Sequence, residues 1–266
     1  MTESANAVAS AFVAARREAR VLASYPGERP ADLASAYQIQ DRAISLDGRK
    51  VAGWKVGRIF PPDDIRLGSN RLAGPIFAES LRRADPGESP EMPIFAGGFA
   101  AVEAEMLLHV AAGWNGIVPS DDAGTRSLMD ELWLGIEVAS SPYPHINSDG
   151  PAVTASDFGN NAGLVIGPQL AGWRELDLCA IRVRMDVDDR QVGEATAAAM
   201  LDGPYGAVRF LLANLSARGI DASGGIWVST GAITGVHKVV PGARVRAIFG
   251  GHGEVHCRIT AARASQ

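Results

Sequence analysis

Residues 101–110, AVEAEMLLHV, decide how the chain is read. Apolar residues recur at Val102, Ala104, Met106, Leu108 and Val110, the period of two that marks a β-strand. Glu103 and Glu105 then share the other face, with Cα atoms about 6.5–7 Å apart. Two carboxylates aimed the same way repel each other if that face is enclosed, and removing even one ion from water costs several kcal/mol. Either a cation offsets that cost or the face is wet.

A second run has the same period. In LWLGIEVAS (132–140), Leu132, Leu134, Ile136 and Val138 take one face, and Trp133, Gly135, Glu137 and Ala139 take the other. Glu137 is the single charge in the run, and small neighbours on its face leave room for a ligand. Two carboxylates on one strand and a third on another form an all-oxygen set that suits a hard divalent cation, Mg²⁺ or Mn²⁺. The alternative is that Glu103 and Glu105 line the solvated face of an edge strand.

VAGWKVG (51–57) reads as a short strand with Lys55 on the same face as Gly53 and Gly57, where backbone or ligand can approach closely. Such a lysine can act as an acid–base group or bind an anion. It can equally guard a strand edge. SDFGNNAG (156–163) clusters Asp157, Asn160 and Asn161 for either a turn or a substrate, and STGAITG (229–235) suits a carboxylate-binding loop or a plain β-turn. HGEVH (252–256) would hold its two histidines about 13 Å apart on a strand, too far for one zinc. No P-loop or G-x-G-x-x-G is present.

The bulk numbers narrow the class. The chain has 266 residues, 47% hydrophobic, with a net charge of −5 and a mean hydropathy of +0.04. It can bury a sizeable core, and its scattered basic residues argue against nucleic-acid or anionic-membrane partners. Cys179 and Cys257 read as small buried hydrophobes of a reducing compartment. No apolar run approaches 18 residues, and the N-terminal segment reads as an amphipathic helix rather than a signal peptide, so a cytoplasmic protein is expected.

Helices are expected at 5–24 and at 33–46, the second capped by Asp32. The stretch 60–75 reads as a turn-rich connection with one helical turn. Strands are expected at 99–111, 132–140, 162–167, 181–188, 191–197, 225–230, 243–249 and 253–260. Helices interrupt them at 120–132, capped by Ser120 or Asp121, and at 204–219, opened by Pro204 and closed by Gly219. The sum is an α+β protein, a single domain with a helical region at 1–50 and a mostly antiparallel β-rich core at 51–266.

The ordered set AYQIQD (36–41), GWKVG (53–57), AVEAEMLLHV (101–110), GIEVASS (135–141), DFGNNAGLVIG (157–167) and VSTGAITG (228–235) resembles the 2-keto-4-pentenoate hydratase family of the fumarylacetoacetate hydrolase superfamily. That family also includes 2-oxohept-3-ene-dioate hydratases and 4-oxalocrotonate decarboxylases. The resemblance runs from about residue 20 to 262. It implies a mixed β-roll or barrel-like core with an N-terminal helical region, a Mg²⁺ or Mn²⁺ site, and homo-oligomers. The family's metal ligands fall on Glu103, Glu105 and Glu137, and its active-site lysine falls on Lys55. An acidic partner falls on Glu79 in GPIFAES (74–80), and Asn161 and Thr230 are expected near the substrate. The chain departs from the family where Glu137 leads into Val138, Ala139, Ser140 and Ser141 instead of an Asp-Ser-Arg-like triplet. It departs again where Arg58, Ile59 and Phe60 follow GWKVG.

The function this implies is a metal-dependent lyase that hydrates a 2-hydroxy-2,4-dienoate in aromatic catabolism. The metal would chelate the C1 carboxylate and C2 oxygen, while Lys55 and Glu79 move protons or orient water. Decarboxylation of a 2-oxo-enedioate at the same metal is the nearest alternative. Carbon–carbon bond hydrolysis and a non-catalytic binding role follow it.

Overall fold

The computed structural model describes residues 3–264. Two helices come first, α1 (Glu3–Arg17) and α2 (Leu33–Asp47). α1 ends seven residues before the expected 24, because Ala19 takes a φ of +49° and the chain turns so that Leu22 N donates to Pro142 O. α2 starts where Asp32 predicts. The Asp32 carboxylate accepts from Ser35 N, and the Ser35 side chain returns to the Asp32 backbone in a capping box. Val8, Phe12 and Val13 of α1 and Ile39 and Ala43 of α2 pack together over Phe77, Phe99 and Tyr143.

The chain continues as β1 (Val51–Arg58), α3 (Asp63–Leu67), β2 (Arg71–Phe77), β3 (Leu81–Arg83), β4 (Glu91–Ile94) and β5 (Phe99–Val110). Then follow α4 (Asp122–Ser127), β6 (Met129–Ser141), α5 (Pro151–Ser156), β7 (Asn161–Gln169), β8 (Arg182–Val187) and β9 (Arg190–Thr196). The last elements are α6 (Gly203–Ala217), β10 (Ile226–Ser229), β11 (His237–Lys238), β12 (Arg244–Phe249) and β13 (Gly253–Ala261). One sheet runs β2-β1-β10-β5-β6-β7-β3, with β11 also paired to β5, and the other runs β4-β13-β12-β8-β9. Only β1–β10, β3–β7 and β4–β13 are parallel among the described pairs. The sheets are therefore mixed and mostly antiparallel, as the sequence implied. Met106 and Leu108 of β5, Leu132 and Leu134 of β6, Phe249 of β12, Ile259 of β13 and Leu211 of α6 share one large core.

Two expectations are corrected. The stretch 60–75 holds α3 but also most of β2, whose seven residues are all buried. The helix expected over 120–132 stops at Ser127. Met129 pairs with Val110 and enters the core, so β6 begins three residues earlier than expected.

The register of the central strands sets the site. Glu103 faces Glu137 and Glu105 faces Gly135 across β5–β6. Opposed residues of an antiparallel pair share a face, so all three carboxylates point the same way. On the other flank Lys55 faces Gly74 across β1–β2. A Cβ at Gly74 would lie 2.1 Å from Phe158 O, so the missing side chain lets the 157–160 turn settle onto the sheet beside Lys55. Gly74→Ala is expected to cost about 1–3 kcal/mol in urea unfolding, since backbone rather than a flexible side chain must give way.

Candidate metal centre

Glu103, Glu105 and Glu137 each bring one carboxylate oxygen within 4.8 Å of the others. All three are buried, as is Lys55. Among the described residues this is the one group of potential ligands placed so closely. Glu105 Oε2 accepts from the Ser229 hydroxyl and, at 2.9 Å, from Gly231 N. Glu137 Oε1 accepts from Asn161 Nδ2 at 2.9 Å. The remaining oxygens, Glu105 Oε1 and Glu137 Oε2, are buried with no hydrogen-bond donor. Glu137 Oε2 does face Lys55 Nζ at 3.2 Å as an ion pair.

Burial and mutual repulsion shape the titration of this set. Desolvation pushes Glu103 up to about 7, with Lys55 pulling it back and Glu137 adding to the rise. Desolvation, then the charges of Glu137 and Glu103, hold Glu105 well above the ordinary carboxylate range. For Lys55, burial disfavours the ammonium, but Glu137, Glu103 and Glu105 outweigh it and hold the group above the usual lysine range. Three carboxylates around one ammonium leave negative charge that a low-dielectric interior does not tolerate. One divalent cation would make the set neutral and give Glu105 Oε1, which has neither donor nor ion pair, a partner. Hard oxygen donors are the ligands Mg²⁺ and Mn²⁺ favour, so these residues fit such an ion.

The site opens into a cavity of about 760 Å³. Lys55, Glu103, Asn160 and Thr230 line it, with Leu72, Met200 and Ile233 as apolar wall. Lys55 Nζ donates to Asn160 Oδ1 at 3.3 Å, and Asn160 Nδ2 donates to Asn147 Oδ1 at 2.9 Å. Both donors of Thr230 go to Met106 O, the hydroxyl at 2.8 Å and the amide at 3.3 Å.

The remaining expected residues are placed differently. Glu79 is exposed on a short 3-10 turn after β2 and does not line the cavity. Ala78 N bonds Lys50 O, so Glu79 lies beyond the start of β1, more than about 13 Å along the strand from Lys55. Asn161 lines a second cavity instead, and it is its neighbour Asn160 that faces the first. The backbone turns between them, since Asn160 holds a φ of +58° and Asn161 is extended.

One group had no signal in the sequence. Arg16 of α1 donates to both carboxylate oxygens of Asp157, at 2.6 and 2.9 Å, to Asn161 O at 3.0 Å and to Ser140 O at 3.2 Å. Its guanidinium lies near the Phe95 and Phe158 rings. The Ser141 hydroxyl also donates to Asp157. This buried cluster ties α1 to β6 and to the turn that delivers Asn160 and Asn161.

No protein-family model matches the chain. Over 243 residues, 90% of this chain and 89% of the relative, it is 30% identical to 4-oxalocrotonate decarboxylase from Pseudomonas sp. strain CF600. Its fold matches 4-oxalocrotonate decarboxylase from Pseudomonas putida G7 complexed with magnesium and adipate. The TM-score is 0.80 at 22% identity over 97% of this chain and 98% of that one. It also matches fumarylpyruvate hydrolase from Pseudomonas aeruginosa in complex with Mn²⁺ and pyruvate. There the TM-score is 0.57 at 16% identity over 79% and 90% of the two chains. With the motif order of the sequence, these relationships establish that the chain belongs to the family of 2-keto-4-pentenoate hydratases and 4-oxalocrotonate decarboxylases in the fumarylacetoacetate hydrolase superfamily.

Proposed function

We propose that the protein is a divalent-cation-dependent decarboxylase of a 2-oxo-enedioate. Glu103, Glu105 and Glu137 would hold Mg²⁺ or Mn²⁺. Bound there, the ion supplies Lewis-acid polarisation of a 2-oxo acid's carboxylate and keto oxygens. Lys55 places a fixed positive charge on the same wall, where negative charge develops on the C2 oxygen. Asn160 holds the lysine's Nζ in place.

Loss of CO₂ from such a substrate breaks the bond between C5 and the distal C6 carboxylate. The released electron pair forms C4=C5, the C3=C4 pair shifts to C2=C3, and the keto pair moves to the C2 oxygen. One proton, taken up at that oxygen or at carbon, completes the product. No water is consumed. The observation that carries this reading is the set of titratable side chains around the cavity. Among the described residues these are Lys55, Arg58, Asp63, Arg71 and Glu103. Glu103 belongs to the metal set, and Asp63 is ion-paired with Arg66 at 2.8 Å. Among the described residues no histidine, and no carboxylate outside the metal set and the Asp63–Arg66 pair, lines the cavity as a base toward water, which favours the chemistry that consumes none. The relationship to a decarboxylase supports the same choice.

The test is to supply Mg²⁺ or Mn²⁺ with a six-carbon 2-oxo-enedioate and with a five-carbon 2-hydroxydienoate, following CO₂ and dienol absorbance separately. Stoichiometric CO₂ from the first and no loss of the second are expected. Loss of dienol absorbance without CO₂ would instead identify a hydratase.

A further inference from the structure

The loop between β6 and α5, residues 142–150, brings Asn147 to the cavity wall. Both of its flanks are anchored. Ile146 is buried in the core with Tyr143 and Val153, and Asp149 is held by the Tyr143 hydroxyl and by Arg29 at 2.6 Å. Asn147 Oδ1 accepts from Asn160 Nδ2 at 2.9 Å and lies 3.2 Å from the Thr154 hydroxyl. Among the described residues nothing accepts from Asn147 Nδ2, so the oxygen is the end of this amide that the protein uses.

Asn160 is buried, and its own Oδ1 accepts from Lys55 Nζ at 3.3 Å. An ammonium has three donors and no acceptor, so only the oxygen of that amide can face it. The two ends of an asparagine amide are nearly equal in size, and hydrogen-bond partners decide which way round it sits. A reversed Asn160 would aim its NH₂ at the ammonium and its oxygen at the oxygen of Asn147.

We infer that Asn147 is a positioning residue: it sets the polarity of Asn160 and, through it, holds Lys55 Nζ at the cavity wall. The inference rests on the reading proposed above, in which that charge meets the C2 oxygen. Lys55 has two anchors, Asn160 Oδ1 at 3.3 Å and Glu137 Oε2 at 3.2 Å. With Asn160 free to turn, the ammonium keeps only the carboxylate and is drawn toward the metal ligands. The charge it serves develops in the transition state, so its displacement should lower kcat and spare KM.

The test is a double-mutant cycle of Asn147→Ala and Lys55→Met, read by calorimetry as oxalate affinity of the Mg²⁺-loaded proteins. Oxalate binds as the chelating end would and carries on its oxygens the charge that the C2 oxygen acquires. Asn147→Ala is expected to weaken oxalate by about three- to tenfold when Lys55 is present and to have no further effect in Lys55→Met. In turnover, Asn147→Ala should lower kcat by a similar factor. Asn147→Asp keeps the accepting oxygen and should recover kcat, with KM raised by its added negative charge. Equal losses with and without Lys55, no loss at all, or a kcat in Asn147→Asp as low as in Asn147→Ala overturns the inference. No CO₂ from wild type while the oxalate cycle holds overturns the decarboxylase reading and leaves this role of Asn147 standing. Failure of oxalate to bind the Mg²⁺-loaded wild type overturns the reading of the metal centre, and the inference falls with it.

Discussion

Glu105→Gln is expected to cut metal-dependent turnover by roughly a thousandfold while making the metal-free protein more stable at neutral pH. The two effects have one cause. Glu105 is buried, and its Oε1 has no donor. Without a cation its charge adds to those of Glu103 and Glu137, as its raised proton affinity records. A glutamine oxygen can still accept from Ser229 and Gly231, and its amide can donate toward the neighbouring carboxylates.

The pH dependence follows from the sign of the shifts. Glu103 titrates near 7 when folded, against an ordinary value of 4.5, and Glu105 is shifted in the same direction. A folded state that binds protons more tightly than the unfolded chain loses stability as pH rises from about 4.5 through 7. Metal-free wild type should therefore melt about 5 °C or more lower at pH 8 than at pH 5. Saturating Mg²⁺ should restore most of that loss. In Glu105→Gln the pH trend should flatten and the Mg²⁺ response should shrink. Full, chelator-sensitive activity in this variant would exclude Glu105 as a ligand.

Lys55→Met should have the second largest effect, and its stability signature should be the opposite one. It removes the buried ammonium that faces Glu137 at 3.2 Å. Breaking a buried pair from one side typically costs about 3–5 kcal/mol, so the metal-free variant should melt below wild type, and by more at pH 8 than at pH 5, where the raised proton affinities of Glu103 and Glu105 reduce the negative charge left behind. Mg²⁺ should bind the variant at least as tightly as wild type, because a competing positive charge is gone. Turnover should nevertheless fall by about 10²–10⁴-fold. Weak Mg²⁺ binding with near-normal kcat at saturating metal would make Lys55 a structural counter-ion and nothing more.

The central strands were legible because their chemistry is local. Alternation places Glu103, Glu105 and Glu137 on one face, and the β5–β6 register then brings them together. The N-cap at Asp32 and the Pro204 start of α6 are equally local signals. What was missed depends on partners far along the chain. β2 is buried on all its residues and so shows no alternation to read, and β3 and β11 are only three and two residues long. Glu79 enters the site by motif alone, yet the β1–β2 register carries it past the start of β1, while Lys55 sits mid-strand opposite Gly74. The exchange of Asn160 for Asn161 turns on a left-handed backbone conformation that composition does not announce.

Arg16 and Asp157 are 141 residues apart, and no local pattern links them. Their contact fastens the opening helix to the turn that carries Asn160 and Asn161. A version of the chain cut after α1 would strand Asp157 as a lone buried anion and leave Asn161 O and Ser140 O without the guanidinium they share. Any recombination that exchanges this helix between relatives must carry the matching aspartate turn with it.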